Sequence, residues 1–104
     1  MNLLKYISDN LTIPELLCQL AEECSELSKA SLKVRSTLIP DCSPTPIAYE
    51  EAMDNFKEEI ADIRLVLLVL NIKLDDPDIS AICDKKMLRW AKRLEDAKCS
   101  MTEK

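Results

Sequence analysis

The stretch Thr12-Ile13-Pro14-Glu15-Leu16-Leu17-Cys18-Gln19-Leu20-Ala21-Glu22-Glu23-Cys24-Ser25-Glu26-Leu27 decides how this chain folds. It opens on a capping box: Thr12 offers a hydroxyl to an orphan backbone N–H, and Glu15 stands three residues on. Pro14 sits in the first turn, where its missing N–H does no harm. Behind this start, Leu16, Leu17, Leu20, Cys24 and Leu27 recur at helical spacing, with Ile13 and Ser31 extending the apolar stripe. This pattern predicts a helix over 13–37. At 100° per residue, Glu23 and Glu26 lie along one edge of the stripe, beside Gln19 and Ala30. Glu22 falls on the opposite side, toward solvent.

The same start signal recurs downstream. Thr45-Pro46 and Asp76-Pro77 each pair a capping side chain with proline at the first helical position. They predict helices over 46–73 and 77–98. A short amphipathic helix over 2–9, carried by Leu3, Leu4 and Ile7, precedes them. Ile39-Pro40-Asp41-Cys42-Ser43-Pro44-Thr45-Pro46 contains three prolines and is expected to connect helices without joining them. Period-two runs of β-branched residues are missing, so strands are not expected. The fold expected is all-α: a small antiparallel bundle of three long helices and a short N-terminal one. It forms one domain over 1–104, with its core in 12–98 and a frayed tail over 99–104.

In the second long helix, Tyr49, Met53, Phe56, Ile60, Ile63, Leu67, Leu70 and Leu74 form the main stripe. Glu59 borders it, and Asp62 sits farther round, beside Asn55 and Val66. A second patch, Leu65, Leu68, Val69 and Ile72, lies on the other side. A helix that is apolar nearly all round is an enclosed one. So short a chain has little else to cover this patch, and a second copy in a symmetric dimer is the expected cover.

Composition excludes several chemistries. The 104 residues contain no glycine, which removes the glycine-rich phosphate loops. They contain no histidine, which removes histidine-based triads, histidine-ligated zinc and Glu-x-x-His di-iron sites. Five cysteines, none in C-x-x-C spacing, read as reduced thiols. A net charge of −5 gives no electrostatic ground for a nucleic-acid partner. No apolar run reaches the roughly 20 residues of a membrane span. The N-terminal residues lack signal-peptide character, so a cytoplasmic location is expected.

What remains is acidic. Four carboxylate pairs stand three residues apart: Glu23/Glu26, Glu51/Asp54, Glu59/Asp62 and Asp75/Asp78. Random placement gives about three such pairs, so spacing alone says nothing. Position separates them. Glu51/Asp54 projects away from the stripe, and Asp75/Asp78 spans a helix break. Only Glu23/Glu26 and Glu59/Asp62 border core stripes in mid-helix. Carboxylates crowded there repel unless a cation or proton compensates. An oxygen-only donor set suits Mg2+ or Mn2+. In the third long helix Lys86, Arg89 and Arg93 share a narrow arc beside Trp90, a form suited to phosphate oxygens. Taken alone, that arc reads better as a solvated face, with Trp90 as a core anchor and Tyr49 and Phe56 as packing residues.

Leu20-Ala21-Glu22-Glu23-Cys24-Ser25-Glu26-Leu27, followed by Glu58-Glu59-Ile60-Ala61-Asp62-Ile63, resembles the all-α NTP pyrophosphatases of the MazG-like group, whose hallmark is E-x-x-E on one helix and E-x-x-D on the next. Lys86-Met87-Leu88-Arg89-Trp90-Ala91-Lys92-Arg93-Leu94 is similar to the basic helix that follows in small members. The resemblance covers roughly residues 12–95. It implies a Mg2+-dependent enzyme, with Mn2+ as a substitute, that splits a nucleoside triphosphate into monophosphate and pyrophosphate, in nucleotide-pool housecleaning. It implies Glu23, Glu26, Glu59 and Asp62 as metal ligands. Lys86, Arg89 and Arg93 would hold phosphates, and Glu22 and Glu58 would be the carboxylates that orient or deprotonate water. It also implies a dimer or dimer of dimers, assembled through the second long helix. Thirty-two residues separate Glu26 from Glu59, a long connection for this group. The competing reading is a non-catalytic α-helical module for oligomeric interaction or nucleotide binding.

Overall fold

A computed structural model describes residues 1–39 and 47–102. They form four helices: α1 (Leu3–Asn10), α2 (Ile13–Leu38), α3 (Tyr49–Val69) and α4 (Pro77–Thr102). No strand occurs among the described residues. The chain is therefore all-α, as its patterning requires. Two compact units divide it, Met1–Ile72 with α1 to α3 and Lys73–Lys104 with α4.

Three helices start on side-chain caps. The Lys5 N–H donates to Asn2 Oδ1 at 3.1 Å, and the Glu15 N–H to Thr12 Oγ1 at 3.2 Å. Asp76 Oδ2 accepts from the N–H groups of Asp78 at 3.0 Å and Ile79 at 3.3 Å, ahead of Pro77. Each cap satisfies a backbone donor that the helix leaves orphaned, an effect of about 1 kcal/mol.

Helix α3 departs from expectation at both ends. It begins at Tyr49 rather than Pro46, with Ala48 as a cap that makes no side-chain hydrogen bond. Thr45 and Pro46 lie outside the described residues, as does most of the proline-rich connection. Its end comes at Val69, four residues before the expected limit of 73. There the Ile72 N–H reaches back to the Leu67 carbonyl at 2.9 Å, and the Asn71 N–H to the Leu68 carbonyl at 3.0 Å. Asn71 has φ 60°. This is a Schellman stop, normally a glycine's position; asparagine is the next residue to tolerate left-handed backbone. In a chain without glycine, Asn71 takes that role. Asn71→Val is expected to destabilise the protein by about 1–2 kcal/mol, and Asn71→Gly to be neutral or stabilising, as read by urea denaturation.

Helices α2 and α3 pack against each other, and α1 packs on α3. Along α2, Leu16, Leu20, Glu23, Leu27, Ala30, Val34 and Thr37 form a shielded row in alternating steps of four and three, with Ser36 half-buried beside it. In α3, Ala52, Phe56, Glu59, Ile63 and Val66 follow the same steps, and Leu70 continues them one residue past the helix end; Met53, Asn55, Leu67 and Val69 are shielded beside this row. Such a 3.5-residue period is that of knobs-into-holes packing. Leu16, Ala30, Ala52, Val66 and Val69 are the buried core.

This seam is rotated from the one the apolar pattern suggests. Ile13 and Leu17 of the expected α2 stripe are exposed, as are Tyr49, Ile60 and Leu74 of the expected second stripe. The small residues Ala30 and Ala52 are almost wholly covered, as residues at a close helix contact must be. Centring the contact on them turns Glu23 and Glu59 inward from the edge. Of the surplus patch, Leu65, Leu68 and Ile72 stay exposed, whereas Val69 is buried.

Helix α4 continues to Thr102, through positions expected to belong to the tail. None of its described residues is buried. Trp90 is 68% exposed, so it is not the core anchor that its size suggested.

Candidate metal centre

The α2/α3 seam is mostly apolar, with Thr37 near one end and two carboxylates at one level in its middle. There Glu23 from α2 and Glu59 from α3 occupy shielded positions that leucine or valine would otherwise fill. Both are half-buried, and Asp62, one turn beyond Glu59, is exposed. Glu23, Glu59 and Asp62 each present a carboxylate oxygen, and these three oxygens lie within 4.8 Å of one another. Two helices thus converge three negative charges on one point, without histidine or thiolate among them.

Of the four expected ligands, three come together. Glu26 stands outside this tight group; its Oε1 lies 3.5 Å from Lys29 Nζ in an exposed pair. At that distance and exposure the pair adds little stability. Glu22 and Glu58 are exposed on α2 and α3. Glu58 is close enough to act on Glu59 electrostatically.

The electrostatics mark Glu59 as the strained member. Its pKa is raised, first by loss of hydration and then by the negative charges of Asp62, Glu23, Glu26 and Glu58. The folded chain therefore binds this proton more tightly than the unfolded chain does. Between the two pKa values the folded state holds the extra proton, so stability falls as pH rises through that window. In metal-free buffer, the melting temperature of the wild type is expected to fall relative to Glu59→Gln as pH climbs out of the ordinary glutamate range. Calorimetry at a series of pH values checks this, and a constant difference would contradict it.

The donor set fits a hard divalent cation. Oxygen-only, carboxylate-rich coordination is the chemistry of Mg2+ and Mn2+, and a cation relieves the repulsion that raises the Glu59 pKa. Glu23, Glu59 and Asp62 would supply three carboxylate oxygens to such an ion.

A neutral side chain that the sequence pattern marked only as a neighbour of the acids joins the group. Gln19 Nε2 donates to Glu23 Oε1 at 2.7 Å. The signal was available: Gln19 precedes Glu23 by one helical turn and Glu26 by two. Asn55 stands in the same relation to Glu59 and Asp62; it is half-buried, whereas Gln19 is exposed.

The basic residues belong to α4, in the second unit. Lys86, Arg89 and Arg93 are all exposed on that helix. Lys86 lines a groove of about 480 Å³ with Ile79, Ile82, Cys83, Met87 and Trp90. The lysine stem thus borders apolar surface, as amphipathic side chains commonly do. Cys18, Cys24 and Cys83 are free, exposed thiols, and Cys42 lies outside the described residues. Among the described residues, no helix is long and apolar enough to cross a membrane.

Comparison with protein-family models, curated proteins and solved structures gives no match to this chain.

Proposed function

We propose that the chain is a Mg2+-dependent nucleoside triphosphate pyrophosphohydrolase of the MazG-like type. The observation that carries the reading is the convergence of Glu23, Glu59 and Asp62 at the seam of two packed helices. Carboxylates are an unfavourable choice for a helix seam, because apolar residues there stabilise the fold and like charges oppose it. Their presence is accounted for if they hold a cation.

Glu23, Glu59 and Asp62 would hold Mg2+, or Mn2+ in its place, with Glu26 as a nearby fourth carboxylate. When bound, the ion supplies positive charge to oppose the phosphate oxygens and the pyrophosphate leaving group. The protein's own part is positioning and proton handling. Lys86, Arg89 and Arg93 would bind phosphate oxygens through their N–H donors. Glu22 or Glu58, neither of them in the tight group, would accept the proton of the water attacking the α-phosphorus. As the new P–O bond forms, the bond from the α-phosphorus to its bridging oxygen breaks, and pyrophosphate departs. The substrate is a nucleoside triphosphate of unassigned base and sugar, which fits a role in nucleotide-pool housecleaning in the cytoplasm.

The exposed Leu65 and Leu68 of α3, with Ile72 just past its end, are assigned to contact with a second copy, in a dimer or dimer of dimers. Leu68→Glu is expected to shift the sedimentation coefficient to that of a monomer; a wild type already monomeric at micromolar concentration would contradict the assignment. The functional test is pyrophosphate release from a panel of NTPs and dNTPs with Mg2+. Activity on at least one nucleotide that is lost in Glu59→Gln supports the reading. Silence across the panel, or Glu59→Gln equal to wild type, overturns it in favour of a non-catalytic helical module.

A further inference from the structure

We infer that Gln19 is a positioning residue for this centre: its amide holds the Glu23 carboxylate inside the acidic group through one oxygen, without neutralising it. The inference rests on the metal reading above.

Two carboxylates on the same helix are treated differently. Glu26 lies beside a lysine ammonium and outside the tight group. Glu23 takes a 2.7 Å hydrogen bond from a neutral amide and lies inside it. Left alone, a flexible glutamate facing Glu59 and Asp62 would swing toward solvent to escape their charge. A lysine at position 19 would also restrain it, but would bring a competing positive charge. An amide restrains the side chain and leaves its negative charge whole for a cation. A donor outside the coordination shell that orients a ligand in this way commonly governs metal affinity. The equal spacing of Asn55 ahead of Glu59 and Asp62 places a second amide at the corresponding point on α3.

The test uses the full chain and Mn2+ alone, with free Mn2+ followed by electron paramagnetic resonance, and melting temperature measured without metal. Gln19→Leu is expected to weaken Mn2+ binding by about 10- to 100-fold. Its metal-free melting temperature is expected to stay near that of the wild type, since the lost contact is a surface one. Gln19→Lys is expected to raise the metal-free melting temperature while weakening Mn2+ binding, because its charge satisfies the acids that the ion would otherwise satisfy. Mn2+ affinity of Gln19→Leu within twofold of wild type overturns the role of Gln19 and leaves the metal centre standing. A loss of affinity matched by a loss of metal-free stability overturns it equally, as a general weakening of α2. A wild type that binds no Mn2+ overturns the metal centre, and this inference with it.

Discussion

Glu59→Leu is expected to give a protein that melts higher than the wild type in metal-free buffer and yet releases almost no pyrophosphate. Leucine would continue the shielded row Ala52, Phe56, Ile63, Val66, Leu70 without interruption. It would also remove the charge that Asp62 and Glu23 now oppose. Replacing a crowded charge by a well-packed apolar side chain is commonly neutral or stabilising. The loss on the catalytic side is of a different size. A metal ion supplies several kcal/mol of transition-state stabilisation, and each 1.4 kcal/mol is a factor of about ten. Losing a central ligand should therefore lower the rate by about 10²- to 10³-fold. A stabilised, inactive variant is the mark of a site that opposes its own fold. Thermal unfolding in EDTA and pyrophosphate release on the same preparation check both halves. A variant less stable than the wild type would show that Glu59 serves the fold.

The second large effect concerns the core. Leu16 is the one large aliphatic side chain among the five buried residues; the others are valines and alanines. It lies two shielded positions before Glu23, near the N-terminal end of α2. Leu16→Ala deletes buried methyl groups and leaves a cavity, at about 2–4 kcal/mol. In a domain of this size each kcal/mol lowers the melting temperature by about 4–8 °C, so a fall of about 8–32 °C is expected by calorimetry. Leu17→Ala, one residue along but exposed, is expected to change it by a few degrees at most. Equal effects from the two substitutions would contradict the seam described here.

Much of the fold was legible because helix starts are written in short local signals. Thr12-x-x-Glu15 and Asp76-Pro77 located the starts of α2 and α4 to the residue. Helix ends were harder. Without a glycine to mark it, the stop at Asn71 looked like more helix, since asparagine is only sometimes a stop signal. The rotation of the seam was harder still. Bulk hydrophobicity favours the largest side chains, such as Ile13 and Leu17, and α2 has more of them than one partner covers. The two alanines that set the contact carry almost no weight in such a pattern. That is why Glu23 and Glu59 read as edge residues while they stand within the shielded rows. Edge and seam are neighbouring positions on a helix, so a small rotation suffices to bring both carboxylates within those rows. A lone glutamine or asparagine on a helix is ordinary, and only the contact at 2.7 Å distinguishes Gln19.

The most direct measurement is the anomalous scattering of Mn2+ soaked into crystals of the wild type and of Glu59→Gln. A single strong peak among the carboxylates of Glu23, Glu59 and Asp62, absent or much weaker in the variant, is the expected result. Crystals of the wild type that show no peak there at millimolar Mn2+, or a peak equally strong in Glu59→Gln, would contradict the metal centre.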